Sequence, residues 1–327
     1  MRASYRWALR QVGTSALTLV FVLVFNFFLF RMLPGDPIKT YTRGRQVDAT
    51  QLAALRHSLH LDQSLWVQFG AYLRNPFNTE VLSLQYRQPV FSVIAERVWP
   101  TVLLVGTSTI LATVIGTWIG IRGAWRRGSA FDKTAMTGSI VLYAMPEFWL
   151  GMLLLIAFSA GVGPLPGLFP SGGMSSVSQA SGWWASLDDT VSHLFLPAAT
   201  LTLAYLAEYA LVMRSSLLDE MGSDYLVTAK AKGLRDALVR RRHAVPNAML
   251  PTLTLIFMNL GFIIGGAITV ESVFSWPGLG QLTYQALRGP DVPLLQAIFL
   301  VISVGVVLAN LLADLLYGVL DPRVRAS

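Results

Sequence analysis

The segment Pro100–Ile121 reads PTVLLVGTSTILATVIGTWIGI and contains no charged side chain over its 22 residues. An α-helix needs about 20 predominantly apolar residues to cross the hydrocarbon core of a bilayer. Further apolar stretches of similar length lie on both sides of it, and one of them, Met249–Val270, is likewise uncharged. The sequence therefore predicts an all-α polytopic membrane protein with six transmembrane helices. The other five spans are expected near Leu9–Phe30, Thr134–Phe158, Leu194–Met213, Met249–Val270 and Pro293–Tyr317.

The composition supports a membrane protein, because 54% of the 327 residues are hydrophobic and only 13% are charged. A soluble domain usually carries about 25% charged residues. The net charge of +7 could suggest a nucleic-acid partner, but the basic residues flank apolar spans, so no nucleic acid is expected. The first span follows Arg2, Arg6 and Arg10 and lacks a small-x-small cleavage site after it, which predicts a retained helix.

The distribution of basic residues predicts the orientation of the chain. The N-terminal tail, the second-to-third loop, the fourth-to-fifth loop and the C-terminal tail together carry 16 Lys and Arg residues. The third-to-fourth loop carries none and the fifth-to-sixth loop only Arg288. Because short cytoplasmic loops are enriched in Lys and Arg, both termini and the fourth-to-fifth loop are expected in the cytoplasm.

Three regions follow from this topology. Residues 1–30 are expected to be a cytoplasmic tail and the first helix, and 100–327 the transmembrane core with a cytoplasmic loop at 214–248. Residues 31–99 are too many for a connector and are predicted to form an external, periplasm-facing subdomain. Two helices are expected in it, at Asp48–His60 and Asp62–Leu73.

The cytoplasmic loop runs from Asp224 to Pro251, DYLVTAKAKGLRDALVRRRHAVPNAMLP. Ser223 and Asp224 favour a helix start, and Gly233 favours the left-handed residue that follows a helix end. These signals predict a short helix over Asp224–Lys232. The small side chains of Ala229 and Ala231 would permit a partner to approach it closely. An amphipathic helix lying on the lipid surface is the alternative.

This loop resembles the EAA coupling loop of ABC-importer permeases, which a cytoplasmic ATPase subunit contacts. The resemblance implies coupling roles for Asp224, Tyr225, Thr228, Ala229, Lys230, Ala231, Lys232, Gly233, His243 and Asn247. Pro246 departs from the family pattern, where a basic or polar residue is usual. Thr228 stands where other permeases carry the acidic residue of the EAA name, but Thr is common there in the subfamily that this chain resembles.

Further segments along the chain resemble the same family. They are LPGDP at 33–37, LDQSLWVQF at 61–69, ESVFSWPGLG at 271–280 and LLYGVLDPRVR at 315–325. The chain is similar to the first permease of dipeptide, oligopeptide and nickel importers. The resemblance implies a type I importer permease fold in the inner membrane. It also implies a second permease, two ATP-binding subunits and an external solute-binding protein as partners.

Glu147 and Glu208 are ionisable groups inside predicted spans, which is costly in lipid and favours a cavity or a partner. They are candidates for the translocation path, and a structural hydrogen bond is the alternative. For Asp314, a helix-packing hydrogen bond is the better interpretation. The GxxxG pairs Gly116/Gly120 and Gly261/Gly265 predict close helix contacts.

No catalytic, cofactor or metal site is predicted. The chain has no cysteine, and its four histidines form no metal-binding motif. It lacks the G-x-x-x-x-G-K-[ST] phosphate loop, so ATP hydrolysis is expected only in partner subunits. Peptides are the expected substrate, with nickel or another small solute as the alternative. A proton-driven secondary transporter and an intramembrane enzyme are weaker alternatives.

Overall fold

The computed structural model describes residues 2–32, 62–74, 81–161, 167–176, 182–265, 267–289 and 291–320, together with positions 48, 50, 53 and 57. This part of the chain is helical and contains no β-strand; Leu82 and Pro89 form one isolated bridge. Its α-helices are α1 (Arg2–Met32), α2 (Leu65–Arg74), α3 (Val90–Trp125), α4 (Ala130–Ala144), α5 (Glu147–Leu155), α6 (Trp183–Glu220), α7 (Asp224–Ala231), α8 (Asp236–Val239), α9 (Val245–Gly265), α10 (Ile268–Val273), α11 (Leu279–Arg288) and α12 (Val292–Leu320). Short π-helical turns follow α5 and α8, at Ile156–Ala160 and Arg240–Ala244.

Four helices in the described residues are long and apolar enough to cross a membrane, namely α1, α3, α6 and α12. The bent pair of α4 and α5 would make a fifth span. The all-α membrane class is confirmed, whereas the count of six stays a prediction. The predicted span Met249–Val270 is not one helix, because α9 ends at Gly265 and α10 begins at Ile268.

The helices extend beyond the predicted spans. Helix α3 begins at Val90 and includes Pro100, and α6 begins at Trp183 and includes Pro197. The prediction placed the residues before Leu194 in a loop, and it was wrong there, because α6 already begins at Trp183. Hydropathy marks the apolar middle of a helix, and polar flanking turns continue it without that signal.

The predicted third span, Thr134–Phe158, is broken into two helices that meet at 103°. Met145 adopts an extended backbone at φ −82° and ψ 132°, as a residue before proline often does. The carbonyl of Pro146 then accepts the first hydrogen bonds of α5, from Trp149 and Leu150. A continuous span was therefore wrong here, and Glu147 lies in the first turn of a new helix.

The chain forms two compact units. Unit 1 comprises Met1–Thr101, Ile264–Ser272 and Pro277–Ser327, and unit 2 comprises Val102–Ile263 and Val273–Trp276. The core of unit 1 is formed by α1, α3, α11 and α12, where Phe30, Ile94, Leu279 and Leu294 are buried.

Helix α2 confirms the second predicted helix, Asp62–Leu73, within a few residues, whereas its external location stays a prediction. It packs on α1 through Phe27, Phe69 and Tyr72, and Asn26 donates a hydrogen bond to the Tyr72 hydroxyl at 2.9 Å. The first predicted external helix, Asp48–His60, lies almost wholly outside the described residues.

Two predicted packing contacts are confirmed. In unit 1, Gln11 donates a hydrogen bond to Asp314 at 2.9 Å, which joins α1 to α12. In unit 2, a Cβ at Gly116 would lie 2.9 Å from Tyr209 Cβ, and a Cβ at Gly120 would lie 2.8 Å from Met213 Cβ. Glycine at both positions is thus required for the close contact of α3 with α6. The surroundings of Gly261 and Gly265 lie outside the described side chains.

Candidate functional site

Helix α7 (Asp224–Ala231) matches the predicted helix Asp224–Lys232 to within one residue. Ser223 occupies the N-cap position but makes no capping bond; its hydroxyl donates to the Glu220 carbonyl at 2.6 Å. The Asp224 carboxylate still favours the positive helix N-terminus. Gly233 has φ +80° and donates its N–H to the Lys230 carbonyl at 2.9 Å, so the predicted left-handed end is present.

The inner face of α7 packs against other helices of unit 2. Leu226 and Ala229 are 2% and 8% exposed. The small side chain of Ala229 therefore allows α7 to approach the helices beneath it, and it does not lie on the outer face as the sequence suggested. The buried cluster that receives α7 comprises Ala124 of α3, Met213 and Leu217 of α6, Val239 of α8, Ala244 of the π-turn and Ala248 of α9.

The outer face of α7 is exposed and mixed in character. Val227 is 61% exposed. Because one face is buried and the other presents an apolar residue among charges, the helix is both held firmly and available for contact. The exposed residues on α7 and its C-terminal turn are Asp224, Tyr225, Val227, Thr228, Lys230, Ala231, Lys232 and Gly233.

A hydrogen-bond network ties the start of α7 to the start of α9. The Tyr225 hydroxyl donates to Glu220 at 2.5 Å and accepts from the Asn247 amide at 2.8 Å. Asn247 also donates to the His243 carbonyl at 3.2 Å. Burial and the hydrogen bond to Glu220 raise the pKa of Tyr225. His243 thus takes part through its backbone, a role that its position in the motif did not indicate.

Trp125, at the end of α3, lies under two cations of the loop. Lys230 Nζ is 5.8 Å and Arg240 Cζ is 5.7 Å from the centre of its ring. Cation–π contacts of this length are attractive. Lys230 also lies 3.6 Å from Asp236, but both side chains are exposed, so this ion pair contributes little.

Glu147 and Glu208 are both half-buried in unit 2. The Asn259 amide of α9 lies 3.4 Å from Glu208 Oε2 and donates to the Tyr209 hydroxyl at 3.1 Å. Glu147 lies in the first turn of α5. The hydrogen bond that the sequence left open for Glu208 is thus present.

Sequence reasoning missed two fully buried carboxylates in unit 1. Glu271 accepts hydrogen bonds from the Thr101 hydroxyl and the Gln281 N–H, both at 2.9 Å. Asp291 accepts from the Ser83 hydroxyl at 2.5 Å and from the Leu294 N–H at 3.1 Å.

These carboxylates lie at the N-terminal ends of α11 and α12, where unpaired N–H groups favour an anion. Glu271 belongs to the ESVFSWPGLG segment, so the resemblance was the one signal that could have identified it.

Among the described residues, no group of three or more His, Asp or Glu side chains is arranged to hold a metal ion. His57 pairs with Asp62 at 3.0 Å on an exposed surface. His193 is buried, with Nδ1 2.7 Å from the Asp189 carbonyl.

Comparison with known families assigns the class of this protein. Residues 88–326 match the family of binding-protein-dependent transport system inner membrane components, and residues 4–105 match the N-terminal model of the same systems. The chain belongs to this family and is a permease subunit of an ABC importer.

Its curated relatives include two kinds of permease. It is 35% identical to the dipeptide transport system permease protein DppB of Escherichia coli, over 98% of each chain. It is 38% identical to the glutathione transport system permease protein GsiC of Salmonella typhi, over 94% of this chain and 95% of the relative.

Proposed function

We propose that this chain is a channel-forming subunit of an ATP-driven importer of short peptides. The relatives that match it over nearly their whole length are named for a dipeptide and for glutathione, which is a tripeptide. Both substrates are short, flexible and zwitterionic. Nickel or another small solute is the alternative substrate for an importer of this type.

The proposed assembly contains a second permease, two ATP-binding subunits and an external solute-binding protein. In it, six spans cross the inner membrane with both termini in the cytoplasm. Residues 31–99 form the external subdomain that meets the binding protein. The core, 100–327, carries the coupling loop 214–248 on the cytoplasmic side.

The observation that carries the proposal is the packing of α7 on the membrane helices. Leu226 and Ala229 are buried against α3, α6 and α9, while Val227 and the charged residues around it are exposed. An ATPase subunit that grips the outer face would therefore displace the ends of several membrane helices together. ATP binding would shift the population between inward-open and outward-open states by favouring one of them.

Glu147 and Glu208 are proposed to line the translocation path and to meet the amino terminus of a peptide. The Asn259 contact of Glu208 is consistent with a polar interior between α6 and α9. Replacing both glutamates by glutamine should reduce uptake or change the range of accepted peptides. Unchanged uptake and range would remove both residues from the path.

The substrate is tested by uptake of a labelled mixture of di- and tripeptides, with labelled nickel in parallel, in cells with and without the gene. Loss of peptide uptake alone is the expected result. Loss of nickel uptake alone would overturn the peptide assignment.

The coupling role is tested by Gly233→Val. A β-branched residue at φ +80° is strained by about 1–2 kcal/mol or more, so the turn after α7 should rearrange and uptake should fall at least tenfold. Gly182→Val is the matched control, because Gly182 has φ +112° and equally open surroundings but lies at the start of α6. Equal uptake by the two variants would contradict the coupling assignment.

A further inference from the structure

Among the described residues of unit 2, a bidentate ion pair joins Arg214, the first residue of the coupling loop, to Asp132 in the first turn of α4. Arg214 Nε donates to Asp132 Oδ1 at 2.7 Å, and its Nη2 donates to Oδ2 at 2.9 Å. The Asp132 side chain is only 4% exposed and that of Arg214 is 26% exposed. Two parallel charge-assisted hydrogen bonds make this a geometrically specific contact.

The backbone around Asp132 fixes the carboxylate in place. Gly128 donates its N–H to Asp132 Oδ2 at 2.9 Å, and the Ser129 hydroxyl accepts from the Asp132 N–H at 3.2 Å. The second of these bonds is the N-terminal cap of α4. Asp132 therefore has little freedom to follow Arg214 if the two helices separate.

Helix α3 packs closely against the pair at Gly123. A Cβ at Gly123 would lie 3.1 Å from Asp132 Oδ1 and 3.8 Å from Arg214 Cδ, and a Cβ at Gly120 would lie 3.0 Å from the Arg214 N atom. The ion pair thus sits where α3, α4 and α6 meet. Two residues beyond Gly123, α3 reaches Trp125, which lies under Lys230 of α7.

Helix α6 connects the same pair to the buried cluster on which α7 packs. Leu217, one turn after Arg214, is fully buried against α7 in the cluster that contains Leu226 and Ala229. In the other direction, α4 leads to the 103° bend and to Glu147 at the start of α5. The pair is therefore the charged link between the helices that carry α7 and the bent third span.

We propose that Asp132 and Arg214 are positioning residues that transmit the displacement of α7 to α4 and α5. The pair makes the start of α4 move with α6, so that the bent span opens or closes when the ATPase moves α7. This inference rests on the proposed coupling function and names the connection through which it acts. Without the pair, α7 would still bind the ATPase, but less of its displacement would reach the helix that carries Glu147.

The test is the number of labelled peptides imported per ATP hydrolysed, measured on the intact importer complex in vesicles. Asp132→Asn and Arg214→Gln should each lower this ratio at least fivefold, while ATP hydrolysis stays within about twofold of wild type. Because the two side chains act as one contact, the double variant should be no worse than either single one. Lys133→Gln, which removes the neighbouring exposed charge, should leave the ratio unchanged.

If the neutral variants fail to assemble, Arg214→Lys provides a second test, because it keeps the charge but loses the bidentate geometry. It should assemble in normal amounts and still lower the ratio. A normal ratio in assembled Asp132→Asn and Arg214→Lys complexes would overturn the proposal, and so would additive losses in the double variant.

Gly233→Val, measured in parallel, separates the two proposals. If Gly233→Val uncouples transport while the Asp132 and Arg214 variants do not, only the positioning role fails. If none of these variants uncouples transport, the coupling function of α7 fails as well.

Discussion

The segment Glu271–Gly280 (the signature turn) and helix α7 of unit 2 both place charged side chains beside apolar helices, but the charge is buried in the first and exposed in the second. Glu271 is fully buried and accepts bonds from a hydroxyl and a backbone N–H. Around α7, the charged side chains are exposed, and the buried positions are Leu226 and Ala229.

This difference indicates that the signature turn stabilises the fold, whereas α7 presents a surface for a partner. A buried carboxylate is tolerated only when hydrogen bonds satisfy it, and removing it leaves its donors unpaired. An exposed residue can be changed with little effect on stability. Substitutions in the signature turn should therefore affect folding, and those on the outer face of α7 should affect function alone.

The largest loss of stability is expected for Glu271→Ala. It leaves the buried Thr101 hydroxyl and the Gln281 N–H without their acceptor, which costs about 1–3 kcal/mol per buried group. The midpoint of thermal unfolding of the purified protein in detergent should fall clearly. Glu271→Gln, which keeps one acceptor oxygen, should fall less. A midpoint like that of wild type in the alanine variant would contradict a structural role for Glu271.

A somewhat smaller loss is expected for Gly280→Ala. The added Cβ would lie 2.7 Å from Ile268 Cα and 2.9 Å from Glu271 Oε2, and overpacking of this kind typically costs about 1–3 kcal/mol. Gly70→Ala in α2 is the matched control, because nothing lies within 4 Å of its Cβ. That change should be neutral or stabilising by up to about 1 kcal/mol. Thermal unfolding distinguishes the two, and equal midpoints would contradict the close contact.

A modest effect is expected for Tyr225→Phe, at the edge of the exposed surface. The phenyl ring cannot bond to Glu220 or Asn247, and the loss of such a bond costs about 0.5–1.5 kcal/mol. Uptake should fall a fewfold because α7 is held less firmly at α9, while the thermal midpoint changes little. Uptake equal to that of wild type would remove the network from the coupling path.

The smallest effect on stability, and a large one on function, is expected for Val227→Asp. Val227 is 61% exposed, so the free energy of unfolding should change by no more than about 0.5 kcal/mol. ATP-driven uptake should nevertheless fall at least tenfold, because a charge replaces the apolar residue of the outer face. Leu168→Asp, at a residue that is 70% exposed in another loop, is the control. A Val227→Asp variant with full uptake would contradict docking on this face.

The sequence predicted what local patterns determine. Apolar runs indicated the membrane helices, and the residue types at Ser223, Asp224 and Gly233 predicted α7 to within one residue. The packing of α7 was not predictable, because Ala229 lies against residues from several helices that are distant in the chain. The carboxylates of Glu271 and Asp132 likewise find partners 170 and 82 residues away. No local pattern encodes such pairings.

Docking of the ATPase on the outer face of α7 is tested most directly by site-specific cross-linking. The chain has no cysteine, so Val227→Cys provides one attachment point for a benzophenone maleimide in the intact complex. Illumination should join this chain covalently to an ATP-binding subunit, whereas the same probe on Leu168→Cys should not. Failure of the Val227 probe to reach the ATP-binding subunit, or adducts with lipid alone, would contradict the account.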